Sequence, residues 1–533
     1  IETLCRDAPR DIIELEHWGM PFARDDDGKI ALRYLAGHSA PRTTYAEAET
    51  GHHLLHTLYQ QVVKRGITVY DEFYVTNLAV DDQPRPEDRT CHGVVAIELA
   101  TGDLHAFRAK RGVVLATGGP GQAYDHTTNA VSCTGDGPAM AYRAGVPLED
   151  MEFVQFHPTT LPSTGVLISE GVRGEGGILY NRRGERFMFE YGYAANAGEL
   201  ASRDVVSRAE LTEVNHGRGV DDDHVLLDMR HLGPERILDR LENIVHLATD
   251  FEGVDPLEEP MPVKPGQHYQ MGGIETDEHG RTCIDGLYAA GECACVSVHG
   301  ANRLGGNALP ELVVFGKRAG RHAAGADLGE PRIDTGHSER ASPGELEPPV
   351  QPGLGDPELA ADGAGAEAED VEGLDPLERA LEAERRRIRD LLEREEGVQQ
   401  AELRAQLQRS MGRFVNVFRN REGIEQALAD IREVRERYRD VYVADTSRTF
   451  NTDLIQTIEL RNLIDVAETI ALGALARTES RGAHWRQEHQ ERDDEHWLKH
   501  TFVSWNDGRP ELWHKPVILE GESKTYEPKA RSY

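Results

Sequence analysis

Two stretches of this chain share one uncommon pattern, a short apolar run that stops on glycine. They are Arg111-Gly-Val-Val-Leu-Ala-Thr-Gly-Gly119 and Gly286-Leu-Tyr-Ala-Ala-Gly-Glu292. Runs this short read as buried strands rather than helices. Glycine at the strand end lets the backbone turn sharply and bring its amides close to a ligand. The pair therefore predicts an α/β fold in which two distant segments build one nucleotide-binding sheet, with residues from about 153 to 267 inserted between them.

The other segments fit around that sheet. Helical periodicity covers Tyr45 to Lys64, Thr68 to Phe73 reads as a short strand, and Val94 to Leu99 with Leu104 to Arg108 reads as a hairpin. Between about 325 and 375 the chain turns to Gly, Pro, Ala, Asp and Glu, a composition that buries too little apolar surface to offset chain entropy, so a solvated linker is expected. Leu377 to Arg394, Val398 to Asn416, Arg421 to Arg437 and Asp453 to Thr478 then carry helical periodicity with many charges. From about 480 the clustered Trp485, Trp497, Trp505 and Trp513 suggest a small irregular cap.

With 93 acidic and 59 basic residues the formal net charge is −34, which argues against nucleic acid as a partner. Only nine residues are Lys, and an acidic surface that prefers Arg to Lys suits a salt-crowded cytosol, so a halophilic protein is expected. The alternative is an ordinary acidic enzyme with one acidic linker. The six cysteines form no C-x-x-C, which argues against a zinc or cluster site, and they read as free thiols. No apolar stretch approaches 18 residues, so membrane contact is expected only through a partner.

The chemistry concentrates in a few blocks. Phe153-Val-Gln-Phe-His-Pro-Thr-Thr160 is followed by Ser169-Glu-Gly-Val-Arg-Gly-Glu-Gly-Gly177. Taken alone, His157 before a proline reads as a loop histidine. Glu170 and Arg173, three apart, either pair across a helical turn or form a solvated surface pair. Ala201-Ser-Arg-Asp-Val-Val206, Pro265-Gly-Gln-His-Tyr-Gln-Met-Gly-Gly-Ile274 and Val298-His-Gly-Ala-Asn-Arg-Leu-Gly-Gly-Asn-Ala308 each put Arg or His in apolar or glycine-rich surroundings. An unpaired cation is costly there, and an anionic ligand such as a small diacid would relieve it.

These blocks, in this order, resemble the flavoprotein subunits of succinate dehydrogenase and fumarate reductase. The resemblance covers nearly the whole chain outside the linker and includes Glu479-Ser-Arg-Gly-Ala-His484, Glu491-Arg-Asp-Asp-Glu-His-Trp497 and Pro528-Lys-Ala-Arg-Ser-Tyr533. L-aspartate oxidase shares the earlier blocks. The resemblance implies a Rossmann-like FAD-binding domain (1–152 and 268–325), a capping domain (153–267), the acidic linker (326–375), a helical domain (376–480) and a small C-terminal domain (481–533). It implies that succinate becomes fumarate with FAD, electrons leaving to an iron–sulfur subunit. That subunit would connect to a membrane anchor with quinone, on the inner face of the cell membrane.

By position, the resemblance gives His157, Ser169, His268 and Arg303 the two carboxylates of the substrate. Ser169 stands where the family usually has Thr, which keeps the hydroxyl. Arg203 would move a proton at the substrate, with Glu170 and Arg173 relaying it toward solvent. That role is unusual for a group with a pKa above about 12, and it requires desolvation and neighbouring Arg charges. Thr117, Gly118, Gly119, Asp136, Glu292, Asn307 and Leu309 match FAD-contacting positions, and Glu292 would suit the ribityl hydroxyls. The family also implies a strand with G-x-G-x-x-G and a histidine covalently linked to FAD, both ahead of His17-Trp-Gly-Met-Pro-Phe22. Neither is found there, so the expectation is a sequence truncated at its N-terminus, or a chain lacking the first βαβ unit and surviving as a non-catalytic scaffold.

Overall fold

The computed structural model describes residues 1–35, 38–47, 49–191, 197–336, 373–506, 508–521 and 524–529. The two glycine-ended runs lie side by side as a parallel pair, Val113–Leu115 against Leu287–Ala289, with Ala289 opposite Leu115. A parallel pairing needs a long crossover, and the inserted segment supplies it. Next to this pair, Phe73–Val80, Cys91–Glu98 and Asp103–Arg108 form an antiparallel sheet.

The inserted segment has a sheet of its own, in the order Val154–Thr160, Met261–Gln270, Val225–Asp228, Ile178–Tyr180. Helices Arg203–Asn215 and Pro234–Glu252 accompany it around a separate core that includes Leu179, Val206, Leu227 and Ile244. The strand Met261–Gln270 runs straight through position 267, where the capping segment is expected to end.

Several expected elements shift. The helix expected from Tyr45 begins at Thr50, because Glu47 has φ +49 and the Thr50 hydroxyl accepts the Ala46 amide, which closes a turn instead. The strand expected over 68–73 begins only at Phe73, since Glu72 at φ +61 turns the chain just before it. The irregular cap is in fact partly regular. Lys499–Asn506 and Arg509–Pro516 form a hairpin of two eight-residue strands, with Phe502 stacked on Trp513 at 4.3 Å, and it extends the sheet of Leu148–Glu149, Gly273–Glu275 and Ala294–Cys295.

Helices Pro376–Glu393, Gln400–Phe414, Arg421–Tyr438 and Thr452–Ala476 fall where the periodicity places them. The last of these is apolar on nearly every side and buried, and it ties the bundle to the main core. Asp375 caps the first of the four through a capping box with Glu378. Most of the expected acidic linker, 337–372, lies outside the described residues, as do 530–533 of the C-terminal run. All six cysteines are free, and among the described residues no helix is long and apolar enough to cross a membrane.

Candidate functional site

His157 is in the middle of the strand Val154–Thr160 and fully buried, not in a loop. Its neighbour strand carries His268 at a bulge, where the register slips between Gln267 and Tyr269. A bulge re-aims one side chain, and here the two imidazoles meet at 5.1 Å between centroids. Burial first, then the charge of Arg203, holds both rings well below the usual histidine range, so both are neutral. Nδ1 of His157 lies 3.2 Å from both the Thr159 amide and the Thr159 carbonyl oxygen, so the ring proton can sit on either nitrogen. Nε2 has no partner.

Arg203 opens helix Arg203–Asn215 and reaches back across the same strand. It donates to Glu170 Oε2 through Nε at 3.0 Å and Nη2 at 2.8 Å, and through Nη1 to Gln155 Oε1 at 2.9 Å. Arg303, from the loop before helix Ala308–Ala323, donates to the same Gln155 oxygen at 3.1 Å. Gln155 in turn donates to Asn302 Oδ1 and the Arg303 carbonyl. Its oxygen thus gathers two guanidiniums, and its nitrogen is spent on the loop that carries Arg303. Arg303 also lies over the Tyr269 ring at 4.2 Å, and its buried Nε lacks a partner. Burial and the neighbouring Arg203 lower Arg303 to about 10.

Glu170 and Arg173 are not a surface pair. Both are buried, Glu170 grips Arg203, and Arg173 donates through Nη1 to the Glu199 carbonyl at 2.7 Å. Arg173, itself part of the inserted segment, is 1% exposed and does not meet solvent directly. The Ser169 hydroxyl accepts the Gly171 amide at 3.1 Å, which leaves its own proton free to donate. Sequence reading missed Gln155, Tyr269 and Glu199. Strand alternation could have found Gln155, which shares a face with His157.

The second group gathers at the ends of the parallel pair. Gly118 has φ +73, and a Cβ on Gly119 would sit 2.2 Å from Glu292 Oε1, so a side chain there would displace the Glu292 carboxylate. Thr117 Oγ1 accepts the Gly137 amide at 3.1 Å. Glu292 accepts the Gln270 amide at 3.0 Å and is pushed by burial to about 7; Glu311, also buried, is pushed to about 8. Bare turns beside a carboxyl that keeps acceptor capacity suit a hydroxyl-bearing, anionic cofactor such as FAD. Asp136 is otherwise engaged: its Oδ1 accepts from Thr134 at 2.9 Å and Asn462 at 2.7 Å, which ties its helix to the bundle. Asn307 precedes the first turn of helix Ala308–Ala323, and Leu309 within it packs with Leu15, Met20 and Phe22.

Comparison with known proteins places these features. Residues 1–309 match the family model described as FAD binding domain, and residues 404–533 match fumarate reductase flavoprotein C-term. The chain is 42% identical to the mitochondrial succinate dehydrogenase [ubiquinone] flavoprotein subunit of Oryza sativa, over all of this chain and 81% of that one. It is likewise 42% identical to a fumarate reductase flavoprotein subunit of Mycobacterium tuberculosis, over 97% of this chain and 84% of that one. Among solved structures, a point mutant of E. coli quinol fumarate reductase superposes with a TM-score of 0.84 at 38% identity, covering 99% of this chain and 84% of that one.

Proposed function

The chain belongs to the family of succinate dehydrogenase and fumarate reductase flavoprotein subunits, and on that premise we propose that it oxidises succinate to fumarate with FAD and passes the electrons to an iron–sulfur subunit. One observation carries the substrate assignment. Arg203 and Arg303 are held on one Gln155 oxygen in a buried place, with Glu170 the carboxylate bonded to Arg203 there. Two adjoining guanidiniums against one carboxylate leave positive charge, which the oxygens of a dicarboxylate meet. An amino acid would add an ammonium to the same place, which disfavours L-aspartate.

Arg303 Nε, and His157 Nε2 when it carries the ring proton, are buried donors in need of acceptors, and carboxylate oxygens supply them. With Ser169 and His268 they would fix both ends of the diacid. This holds the central C–C bond in one orientation, and the buried site keeps water from it. FAD, when bound by Thr117, Gly118, Gly119 and Glu292 with Asn307 and Leu309 close by, supplies hydride acceptance. The carbon opposite the hydride loses a proton to Arg203, whose own proton has Glu170 as its receiver at 2.8 Å. A carboxylate in contact lets the guanidinium hand on one proton as it takes another. Fumarate reduction uses the same groups in reverse, and relatives carry both names. Attachment through the iron–sulfur subunit to a quinone-binding anchor would keep the chain peripheral to the membrane.

The test is spectral. Flavin-loaded protein should lose its yellow colour on anaerobic addition of succinate and regain it with fumarate, and malonate should compete with both. L-aspartate should do nothing. Bleaching by dithionite but not by succinate would overturn the reading.

A further inference from the structure

The proton path described above stops at Arg173, which has no route to water of its own. We propose that Glu210 continues it, exchanging protons with the Arg173 guanidinium and passing them toward the protein surface. The inference rests on the assignment of Arg203, Glu170 and Arg173 to proton transfer.

Glu210 is on the same helix as Arg203, seven residues later, and therefore on the same side two turns on. It is completely buried, and neither carboxyl oxygen has a hydrogen-bond partner. Among the described residues no other carboxylate is buried with both oxygens bare. Leaving such a group in the interior is costly, which makes its surroundings informative. One charged group acts on it, Arg173, and burial otherwise pushes its carboxyl well up, so it holds a proton. Arg173 has matching spare capacity, since only Nη1 is engaged and the buried Nε and Nη2 are without partners. No hydrogen bond joins the two groups, so exchange takes one bridging water or one rotamer change of Arg173.

Beyond Glu210 the same helix carries Glu213, three residues on. Glu213 is bonded to Arg218 at 2.7 Å, Asn181 at 2.8 Å and Tyr191. Arg218 is 26% exposed, so this cluster reaches water. In succinate oxidation each proton that enters Arg173 from Glu170 is matched by one that leaves it for Glu210, and Glu210 releases one outward. Fumarate reduction reverses each transfer. No electrons move in these steps and no further reactant is required.

Three variants of the flavin-loaded protein decide it, with malonate affinity, turnover and the solvent deuterium isotope effect measured for each. Glu210→Gln keeps shape but cannot relay. It should bind malonate and flavin as the parent does and lose roughly tenfold in turnover, less than the 10²- to 10⁴-fold typical of a group at the reacting atom. Its solvent isotope effect should rise, and Glu210→Asp should restore part of the rate. In resting protein, the infrared band of a buried protonated carboxyl should vanish in Glu210→Gln. If that variant folds poorly, Glu210→Leu should fold and show the same loss. Parental turnover and isotope effect in either variant would overturn the proposal, whatever happens to the melting temperature. Arg203→Gln separates the two layers. If it is inactive while Glu210→Gln is unaffected, only the Glu210 step fails; if it stays active, the proton-transfer assignment itself is wrong.

Discussion

Arg477 and Arg303 are both arginines sealed in the interior, and they are in opposite condition. Arg477 donates to Glu152 at 2.6 Å, Glu479 at 3.0 Å, the Trp497 and Lys499 carbonyls and Thr501. Each of its nitrogens is used. Arg303 has one side-chain acceptor, shared with Arg203, and a ring beneath it. The same contrast separates the histidines. Asp150, 2.7 Å from its ring, holds His500 charged, at about 9 despite its burial, whereas burial and Arg203 hold His157 neutral. The protein saturates the Arg477 guanidinium by itself. Arg303 keeps an open buried donor beside a second buried cation and two neutral imidazoles, and that combination, not burial or charge alone, marks where a ligand belongs.

Substitutions in the two clusters should therefore fail in different ways. The largest effect is expected for Arg203→Gln: turnover should drop roughly 10²- to 10⁴-fold while flavin content stays and malonate affinity falls only modestly. More than about a tenth of parental turnover would shift the proton to another group. Arg477→Leu should instead cost about 3 to 5 kcal/mol of stability, since it strands Glu152 in the core. A chemical denaturation curve measures that loss. Arg303→Gln falls between these, with malonate binding weaker by roughly 2 to 5 kcal/mol and little change in melting temperature. If Arg303→Gln unfolds the protein as Arg477→Leu does, the contrast between clusters collapses.

The pH dependence of stability sharpens the same comparison. The folded pKa of His500 is raised from 6.5 to about 9, and that of Glu149 from 4.5 to about 8. Both shifts mean that the folded state binds more protons. The stability His500 contributes is thus full below about 6.5 and lost as pH rises through about 9, at most roughly 3 kcal/mol. Melting temperature should fall between pH 7 and 9.5 by this route, and His500→Gln should flatten the slope. The smallest effect per charge concerns the surface. We propose that the −34 balance makes the fold salt-loving. The melting midpoint should rise from roughly 0.1 to 3 M KCl, a range that screens exposed charges and leaves the buried Arg477 cluster untouched. A flat or falling midpoint would remove that reading.

Local pattern carried much of the architecture. The two strand-to-glycine runs announced the parallel pair because a side chain at Gly119 would displace the Glu292 carboxylate, a constraint written into the residue itself. Periodicity likewise gave the four late helices. What was not legible depends on tertiary contact. His157 looked like a loop residue because the following proline usually ends regular structure, yet it stands within a strand whose partner, through the bulge at His268, completes the pair. Glu170 with Arg173 matched a surface pair in spacing, and only the packing of helix Arg203–Asn215 turned Glu170 to Arg203. Glu210 reads as an ordinary helical glutamate until its environment is known.

The central claim, that the donors left open in the core are completed by substrate, is tested most directly by a crystal structure of the flavin-loaded protein with malonate. The account expects carboxylate oxygens within hydrogen-bonding distance of His157 Nε2 and Arg303, with Gln155 still bridging Arg203 and Arg303. Malonate seated elsewhere, with His157 Nε2 and Arg303 Nε still bare, would contradict it.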